Sequence, residues 1–242
     1  MHSMFRVLKP HSLLLSLMAL LLSSQASAQG MPGTENGEWH YLGGDSPLNQ
    51  INAANFSDLE QAWIWRSDNF GPNLDYFSRS TPVYVDGMLY TVATPRRQVI
   101  AMDPATGENI WTFREPATVR HQRSPRQAYG KGVAYAEVDG RGVVYITTPG
   151  FFLWALDAKT GKPLENWGEP IPLDGFEQSG GIDLIPKLVE DWAPWQDYLV
   201  AGGSYDPDYG IPRELGMVTA SAPPIVVNGV VVVLVGHQPS YG

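Results

Sequence analysis

The sequence predicts an all-β fold made of four-stranded sheets, and three observations lead to this prediction. First, its 242 residues include 25 glycines, 20 prolines, 8 tryptophans and 11 tyrosines, which is typical of short strands joined by tight turns. Second, three pairs of apolar runs are separated by Asp-Gly or Asn-Gly, a strong signal of a β-hairpin. Third, an Asp-x-x-Thr-Gly turn followed by a tryptophan occurs twice, 54 residues apart, at Asp103 and Asp157.

The hairpin signal consists of apolar residues on both sides of a two-residue turn. The turns are Asp86-Gly87, Asp139-Gly140 and Asn228-Gly229. A type I′ turn needs positive φ at both central residues, which Asp, Asn and Gly tolerate better than other residues. We therefore expect hairpins within residues 82–94, 132–150 and 222–236.

The Asp-x-x-Thr-Gly turns have a physical reason to recur. The aspartate can accept hydrogen bonds from the turn amides and the threonine hydroxyl. Gly107 and Gly161 can take a positive φ, which lets the flanking strands pair with the right twist. The tryptophan that follows is too large for one thin sheet, so we expect it to fill the gap between neighbouring sheets. The alternative is two ordinary hairpins with a chance resemblance.

These features together define a repeat of four strands. The first copy covers residues 81–111, the second covers residues 132–167, and a third opens at Ser221 and stops at its second strand. Four strands per copy, at a period somewhat above forty residues, are typical of a β-propeller. The predicted fold is thus an incomplete β-propeller of four-stranded blades with tryptophan-docking repeats.

Helices play a small part in this prediction. The best candidates are 52–63, with Asn55 or Ser57 as cap, and 183–192, which Pro186 interrupts. An irregular insertion of residues 168–215 separates the second and third copies. Insertions of this size in repeat folds usually lie on one face and line a site.

The first residues of the chain read as an export signal. Arg6 and Lys9 precede an apolar run over 13–22, and small residues follow up to an Ala-x-Ala site ending at Ala28. We predict a signal peptide over 1–28, cleavage before Gln29 and export to the periplasm. An uncleaved membrane anchor is the alternative, although the run is shorter than the ~20 residues that span a bilayer.

Charge and cysteine content exclude some classes of protein. The chain has 16 basic and 25 acidic residues, and two of the basic ones lie in the predicted leader. Such an acidic domain is a poor partner for nucleic acid, which binds basic surfaces. The sequence has no cysteine, so an exported domain of this size must rely on its core rather than on disulfides.

Four segments resemble the quinoprotein dehydrogenases that use pyrroloquinoline quinone (PQQ), above all the glucose and alcohol dehydrogenase branch. The segment 37–65, beginning GEWHYLGGD, is similar to the opening of that family, and 81–113, 130–168 and 221–233 are similar to its successive blades. The resemblance implies an eight-bladed propeller with PQQ in the central channel, usually beside a calcium or lanthanide ion. Residues 29–242 would then form three to four of the eight blades, and we expect a fragment of a longer protein.

The resemblance also implies positions for cofactor contacts. The family has an arginine in an Arg-Gly-x-Ala-Tyr stretch that binds the quinone oxygens, and Lys131 of KGVAY stands at that position. Alcohol-oxidising members have a glutamate where Arg79 of SRSTP stands, and an arginine can pair with a PQQ carboxylate. A solvated surface residue is the alternative in both cases.

Two further regions match cofactor loops of the family. His237 and Gln238 lie in the loop after the valine-rich strand, where relatives place quinone and metal ligands, but no carboxylate is present there and the metal ligand stays unknown. Pro125 and Arg126 replace the paired cysteines of alcohol-oxidising members, which favours the glucose dehydrogenase-like branch. Arg123 and Arg126 form a basic cluster that can hold the tricarboxylate of PQQ; a solvated loop is the alternative.

The resemblance implies oxidation of an alcohol or sugar hydroxyl by hydride transfer to PQQ, with Ca²⁺ as a candidate metal. The catalytic aspartate of the family lies in later blades, so we expect it beyond residue 242 and expect residues 29–242 alone to be inactive. The electron acceptor, a quinone or a cytochrome, is open, as is association with the membrane. A non-enzymatic propeller scaffold of the outer-membrane assembly type and a free-standing binding module are the alternative functions.

Overall fold

The computed structural model describes residues 38–40, 51–70, 79–94, 96–125, 127, 130–176, 180–219 and 222–238. The predicted leader lies outside these ranges, and within them no helix is long and apolar enough to cross a membrane. The strands are β1 (Val83–Val85), β2 (Met88–Ala93), β3 (Gln98–Met102), β4 (Asn109–Phe113), β5 (Ala134–Val138), β6 (Arg141–Thr147), β7 (Phe152–Asp157), β8 (Gly181–Asp183), β9 (Met217–Thr219), β10 (Ile225–Val227), β11 (Val230–Val232) and β12 (Gly236–Gln238). The helices are α1 (Val119–Arg123), α2 (Ile185–Val189) and α3 (Ala193–Val200), with 3₁₀ turns at Phe56–Asp58, Ser67–Phe70 and Arg213–Leu215.

Strands β1 to β4 form an antiparallel meander in chain order, which we call blade 1. The β1–β2 turn has φ of 49° at Asp86 and 74° at Gly87, as a type I′ turn requires. The register places Tyr90 opposite Val83 on one side and Ala101 on the other. All five residues of β3 are buried, because this inner strand is covered on both faces. The predicted first blade is therefore confirmed.

Strands β5 to β8 form the second four-stranded sheet, blade 2, but its fourth strand differs from the prediction. The sequence placed Trp167 in that strand. Instead, Pro163 bridges Leu156 and the pairing then breaks off. It resumes at β8, where Gly181 lies opposite Trp154. The insertion therefore opens within blade 2, and the sequence pattern hides this because the turn and the tryptophan are both intact.

The third repeat consists of two short pairs of strands. β10 and β11 form the hairpin predicted around Asn228-Gly229, and β9 pairs with β12. Val226, Val231 and Val233 pack against a buried cluster of blade 2 that includes Tyr145. Contact between β10 and β5 confirms that the third unit lies beside blade 2.

Tryptophans join neighbouring units through equivalent contacts. Trp63 Nε1 donates to the carbonyl of Pro104 at 2.9 Å, and Trp111 Nε1 donates to the carbonyl of Ala158 at 3.0 Å. Both acceptors directly follow the aspartate of an Asp-x-x-Thr-Gly turn. Each indole also covers the glycine of that turn, since a Cβ atom added at Gly107 would lie 2.7 Å from the ring of Trp63. The predicted wedge between sheets is confirmed for Trp111, and Trp63 extends it.

The second turn holds its aspartate as a charged group. Asp157 Oδ1 accepts from the Thr160 amide and hydroxyl, both at 2.8 Å, and Oδ2 accepts from Arg141 Nε at 2.7 Å. Burial raises the pKa of this carboxyl, but the bonds from Arg141 and Thr160 outweigh it and leave the pKa below its ordinary value. Asp157 is therefore ionised at neutral pH, and its bonds to Arg141 and Thr160 hold the turn in place.

The main core lies between the two blades. Val83, Tyr90 and Ala101 of blade 1 pack with Phe152 and Trp154 of blade 2, and all five are buried. Fully burying side chains of this size contributes roughly 1.5–3 kcal/mol each. The two blades thus share this core, to which each contributes one face.

Both predicted helices are wrong in extent. Within 52–63 the structure has only the 3₁₀ turn Phe56–Asp58, because Phe56 is 69% exposed and no apolar face is buried to stabilise a helix. Asn55 Oδ1 accepts from the Asn52 amide instead of capping a helix. Pro186 lies in the first turn of α2 rather than interrupting a helix, since proline is tolerated there.

Candidate functional site

The meander topology gives each blade two distinct ends. In an antiparallel sheet of four strands, the turns after the first and third strands lie at one end, which we call the turn end. The loop after the second strand, the segment leading into the first strand and the segment leaving the fourth lie at the opposite end. We call this opposite end the loop end. In blade 1 and its link to blade 2 its described residues are 79–82, 94, 96–97, 114–125, 127 and 130–133, and in blade 2 it includes residues 148–151.

Two of the predicted cofactor residues lie on neighbouring segments of the loop end. Arg79 and Lys131 lie in the segments that lead into β1 and β5. The Thr81 amide donates to the Lys131 carbonyl at 2.9 Å, which places the two segments side by side. Gly132 has φ of 143°, and a Cβ atom there would lie 3.0 Å from the Thr81 carbonyl oxygen. Arg79 is exposed and Lys131 is half-buried, so both remain accessible to a ligand.

A buried arginine that the sequence did not single out supports these segments. Arg97 has φ of 49° and is 2% exposed. Its Nη1 donates to the Thr147 carbonyl at 3.2 Å, which links the loop ends of blades 1 and 2. A Cβ atom at Gly130 would lie 2.8 Å from Arg97 Cγ, so the stem of this side chain passes directly against the residue before Lys131. The only signal in the sequence was the Arg-Arg pair after a strand.

Cationic groups concentrate at the loop end although the chain has a net charge of −9. Burial, and then the neighbouring Arg114, lower the pKa of the Arg96 guanidinium. The carboxylate of Glu115 offsets part of this effect, and the remaining excess of positive charge at this end favours an anionic ligand. The described cations of this end are Arg79, Arg96, Arg97, Arg114, Arg120, Arg123 and Lys131.

A buried acid–imidazole pair fixes helix α1 to the loop end of blade 2. The Glu115 side chain is fully buried, and its Oε1 lies 2.7 Å from His121 Nδ1. The same oxygen accepts from the Gly150 amide at 2.7 Å, while Oε2 has no partner within the described part of the chain. Thr118 caps α1 through its hydroxyl, which accepts from the His121 amide at 3.0 Å. Glu115 thus orients the helix that carries Arg120 and Arg123.

Arg120 ties α1 to β8 and to the insertion. Its Nη1 donates to Asp183 Oδ1 at 3.0 Å and to the Tyr205 hydroxyl at 2.7 Å. The Tyr205 hydroxyl in turn donates to Asp183 Oδ2, and burial is the main cause that raises the pKa of Tyr205. The guanidinium carbon lies 3.5 Å from the centre of the Phe152 ring. This network joins three separate parts of the chain around one guanidinium.

An open pocket lies between α1, the β6–β7 loop and the insertion. Three of its lining residues are arginines, Arg120, Arg123 and Arg213, and none of the described residues that line it is an aspartate or a glutamate. Gly216 also lines the pocket and directly precedes β9, whose Met217 is the backbone partner of Gln238 on β12. Strand β12 therefore lies close to the rim of the pocket.

The other predicted site residues are placed only in part. His237 and Gln238 were predicted in a loop, but both lie on the short strand β12, where His237 is opposite Val218. Arg126 lies outside the described residues, one position after the pocket residue Pro125. In the part of the chain that the structure describes, no group of three or more His, Asp or Glu residues is arranged to hold a metal ion.

The docked four-stranded blades with a cationic loop end define this chain as part of a β-propeller with features of an anion-binding site. The family model for the PQQ glucose/ethanol/alcohol dehydrogenase β-propeller domain matches residues 33–240. The chain belongs to this family, whose cofactor is PQQ. This confirms the predicted fold class and family resemblance.

The chain is similar to several characterised relatives. It is 33% identical over 168 residues to the quinohemoprotein alcohol dehydrogenase ADH IIB of Pseudomonas putida, covering 68% of this chain and 23% of the relative. It is 30% identical over 213 residues to the glycerol dehydrogenase large subunit of Gluconobacter thailandicus, covering 81% and 24%.

A solved structure supports the same fold. The quinohemoprotein alcohol dehydrogenase from Comamonas testosteroni superimposes with a TM-score of 0.53 at 26% identity, over 82% of this chain and 23% of that chain. The chain thus spans about a quarter of the length of the relatives it matches.

Proposed function

We propose that this chain forms part of the PQQ site of a dehydrogenase that oxidises an alcohol or sugar hydroxyl. The observation that carries the proposal is the pairing of the segments of Arg79 and Lys131 at a cationic loop end, in a propeller of the PQQ family. PQQ is an anionic cofactor with three carboxylates, so the charge of this end matches that of the cofactor.

The residues of the loop end fit the cofactor in charge and in hydrogen-bonding capacity. Lys131 would contact the quinone oxygens as a point charge, since lysine lacks the planar fork of the arginine found in relatives. Arg79 would pair with a carboxylate, and Arg126, His237 and Gln238 complete the proposed set. When bound, PQQ supplies a quinone that accepts the hydride from the substrate carbon.

The proton acceptor, the metal ion, the substrate and the electron acceptor concern the whole protein rather than the loop end alone. We assign the uptake of the hydroxyl proton to the aspartate that the family carries in its later blades, and no described residue is assigned as a ligand of a Ca²⁺ ion. The small-molecule substrate is an alcohol or a sugar, and the electron acceptor is a quinone or a cytochrome. Residues 1–28 serve as a cleaved signal for export to the periplasm.

Substitution of Lys131 tests the proposed cofactor site. PQQ titrated into the full chain should quench tryptophan fluorescence with saturation at one equivalent. In Lys131→Ala we expect binding about tenfold weaker, because a charge-assisted contact to the quinone is lost. Lys159→Ala, which removes the same charge from the exposed turn end, should bind PQQ like the wild type.

Equal weakening in both lysine variants would show that Lys131 contributes only overall charge and would contradict its role. Absence of saturable PQQ binding to the wild-type chain would contradict the whole proposal. That second outcome would favour the non-enzymatic propeller scaffold.

A further inference from the structure

We propose that the arginine pocket between α1, the β6–β7 loop and the insertion binds the carboxylate of an organic acid that also carries hydroxyl groups. We call it the Arg120 pocket, lined by Arg120, Arg123, Phe151, Tyr209 and Arg213 among others. The substrate class named here rests on the proposed dehydrogenase function. The known chemistry of the family concerns the cofactor and the hydroxyl that is oxidised, whereas this pocket concerns a second, charged group.

The charge of the pocket is the first argument. Three arginines line it, and among the described residues Arg120 alone of the three has an acidic partner, Asp183 at 3.0 Å. Arg123 and Arg213 are exposed and make no ion pair with another described residue. Their side chains carry positive charge into a concave surface of an acidic protein, where an anion is favoured over a neutral ligand.

The geometry of Arg120 is the second argument. Its side chain is only 5% exposed, and Nη1 alone makes the bonds to Asp183 and Tyr205. Nε and Nη2 are buried without a partner within the described ranges. These two nitrogens share one edge of the planar guanidinium, and this edge matches the two oxygens of a carboxylate.

Buried donors without partners cost free energy, so an unused edge beside a pocket calls for an acceptor. The face of the same guanidinium is already covered by Phe152 at 3.5 Å. The Nε–Nη2 edge of Arg120 is therefore the part of the group that we assign to a ligand. A small adjustment that opens this edge to the pocket would satisfy both donors with one carboxylate.

The insertion supplies another wall of the Arg120 pocket, and its residues favour a ligand that carries hydroxyl groups as well as a carboxylate. Tyr209 and Arg213 both come from it, and the Tyr209 ring centre lies 5.8 Å from the Arg123 guanidinium. Tyr209 is half-exposed, so its ring can cover a ligand while its hydroxyl offers a hydrogen bond. A hydroxylated acid such as a sugar acid presents both groups that this wall can bind.

Binding of D-gluconate, with D-glucose as the neutral counterpart, tests the proposal on the full chain. Isothermal titration at low salt should show one site for gluconate and at least tenfold weaker binding of glucose. Arg213→Ala and Arg123→Ala should each weaken gluconate binding about five- to tenfold, because each removes one charged donor. Arg66→Ala removes an exposed arginine that does not line the pocket, and it should bind gluconate like the wild type.

Equal binding of gluconate and glucose would overturn the proposal, as would equal losses in Arg66→Ala and Arg213→Ala. A third arm repeats the titration with PQQ present. Retained gluconate binding supports a separate acid pocket, whereas complete displacement by PQQ would assign the arginines to the cofactor and overturn the proposal. PQQ binding without any gluconate binding would refute this inference while the proposed function stands.

Discussion

Replacing Gly161 with alanine is expected to lower the free energy of unfolding by about 3–4 kcal/mol. Gly161 has φ of 69°, and a Cβ atom there would lie 2.6 Å from Cδ2 of Trp111. Alanine would strain the backbone and also push the indole away from the Ala158 carbonyl that it contacts at 3.0 Å. Urea unfolding followed by tryptophan fluorescence would measure the loss.

Gly140→Ala is the matched control for this substitution. Gly140 has φ of 74°, close to that of Gly161, but no atom lies within 4 Å of an added Cβ. It should therefore lose only the backbone contribution of about 1–2 kcal/mol. The difference between the two variants isolates the docking of the indole, and equal losses would contradict a structural role for this contact.

Truncation of Glu115, at the loop end, should lower the free energy of unfolding by a similar amount. We expect Glu115→Ala to lower the free energy of unfolding by about 3–5 kcal/mol, because the Gly150 amide and His121 lose a buried partner. Glu115→Gln keeps one acceptor oxygen and should lose about 1–3 kcal/mol. Chemical denaturation at constant pH measures both variants.

The control for Glu115 is Glu137→Ala on the exposed part of β5, which should change stability by no more than about 0.5 kcal/mol. Hydrogen exchange of the amides of 119–123 gives an independent measure, since α1 should lose protection in Glu115→Ala before the blades do. If Glu115→Ala behaves like Glu137→Ala, the buried pair does not anchor α1.

The sequence predicted the blades well because their signals are local. Asp86-Gly87 and Asn228-Gly229 need positive φ within two residues, and this requirement depends on no distant contact. Trp111 could be expected between sheets because the turn that receives it occurs in the next copy of the repeat. The order of strands in the blades followed from these turns.

Features that depend on distant partners were missed. The break after Leu164 and the return of the chain at β8 depend on how the insertion closes on itself, and no local pattern marks that. The predicted helix over 52–63 failed because no apolar face of it is buried, while its last residue, Trp63, docks on Gly107, 44 residues away. Sequence periodicity gives no information on such contacts between residues that are distant in the sequence.

Two residues of the candidate site were named from the sequence. Lys131 and Arg79 were singled out through family resemblance, and the structure brings their segments together. Arg97, Arg120 and the Glu115–His121 pair were missed, because a buried charged residue looks like a surface residue until its partners are known.

Hydrogen exchange of the full chain with and without PQQ tests the central claim most directly, namely that the cofactor lies at the loop end. PQQ should slow exchange of the amides of residues 79–82 and 130–133 and of β12, and leave the turns at 86–87, 103–107 and 157–161 unchanged. Slowed exchange confined to those turns, or no change anywhere at saturating PQQ, would contradict the account.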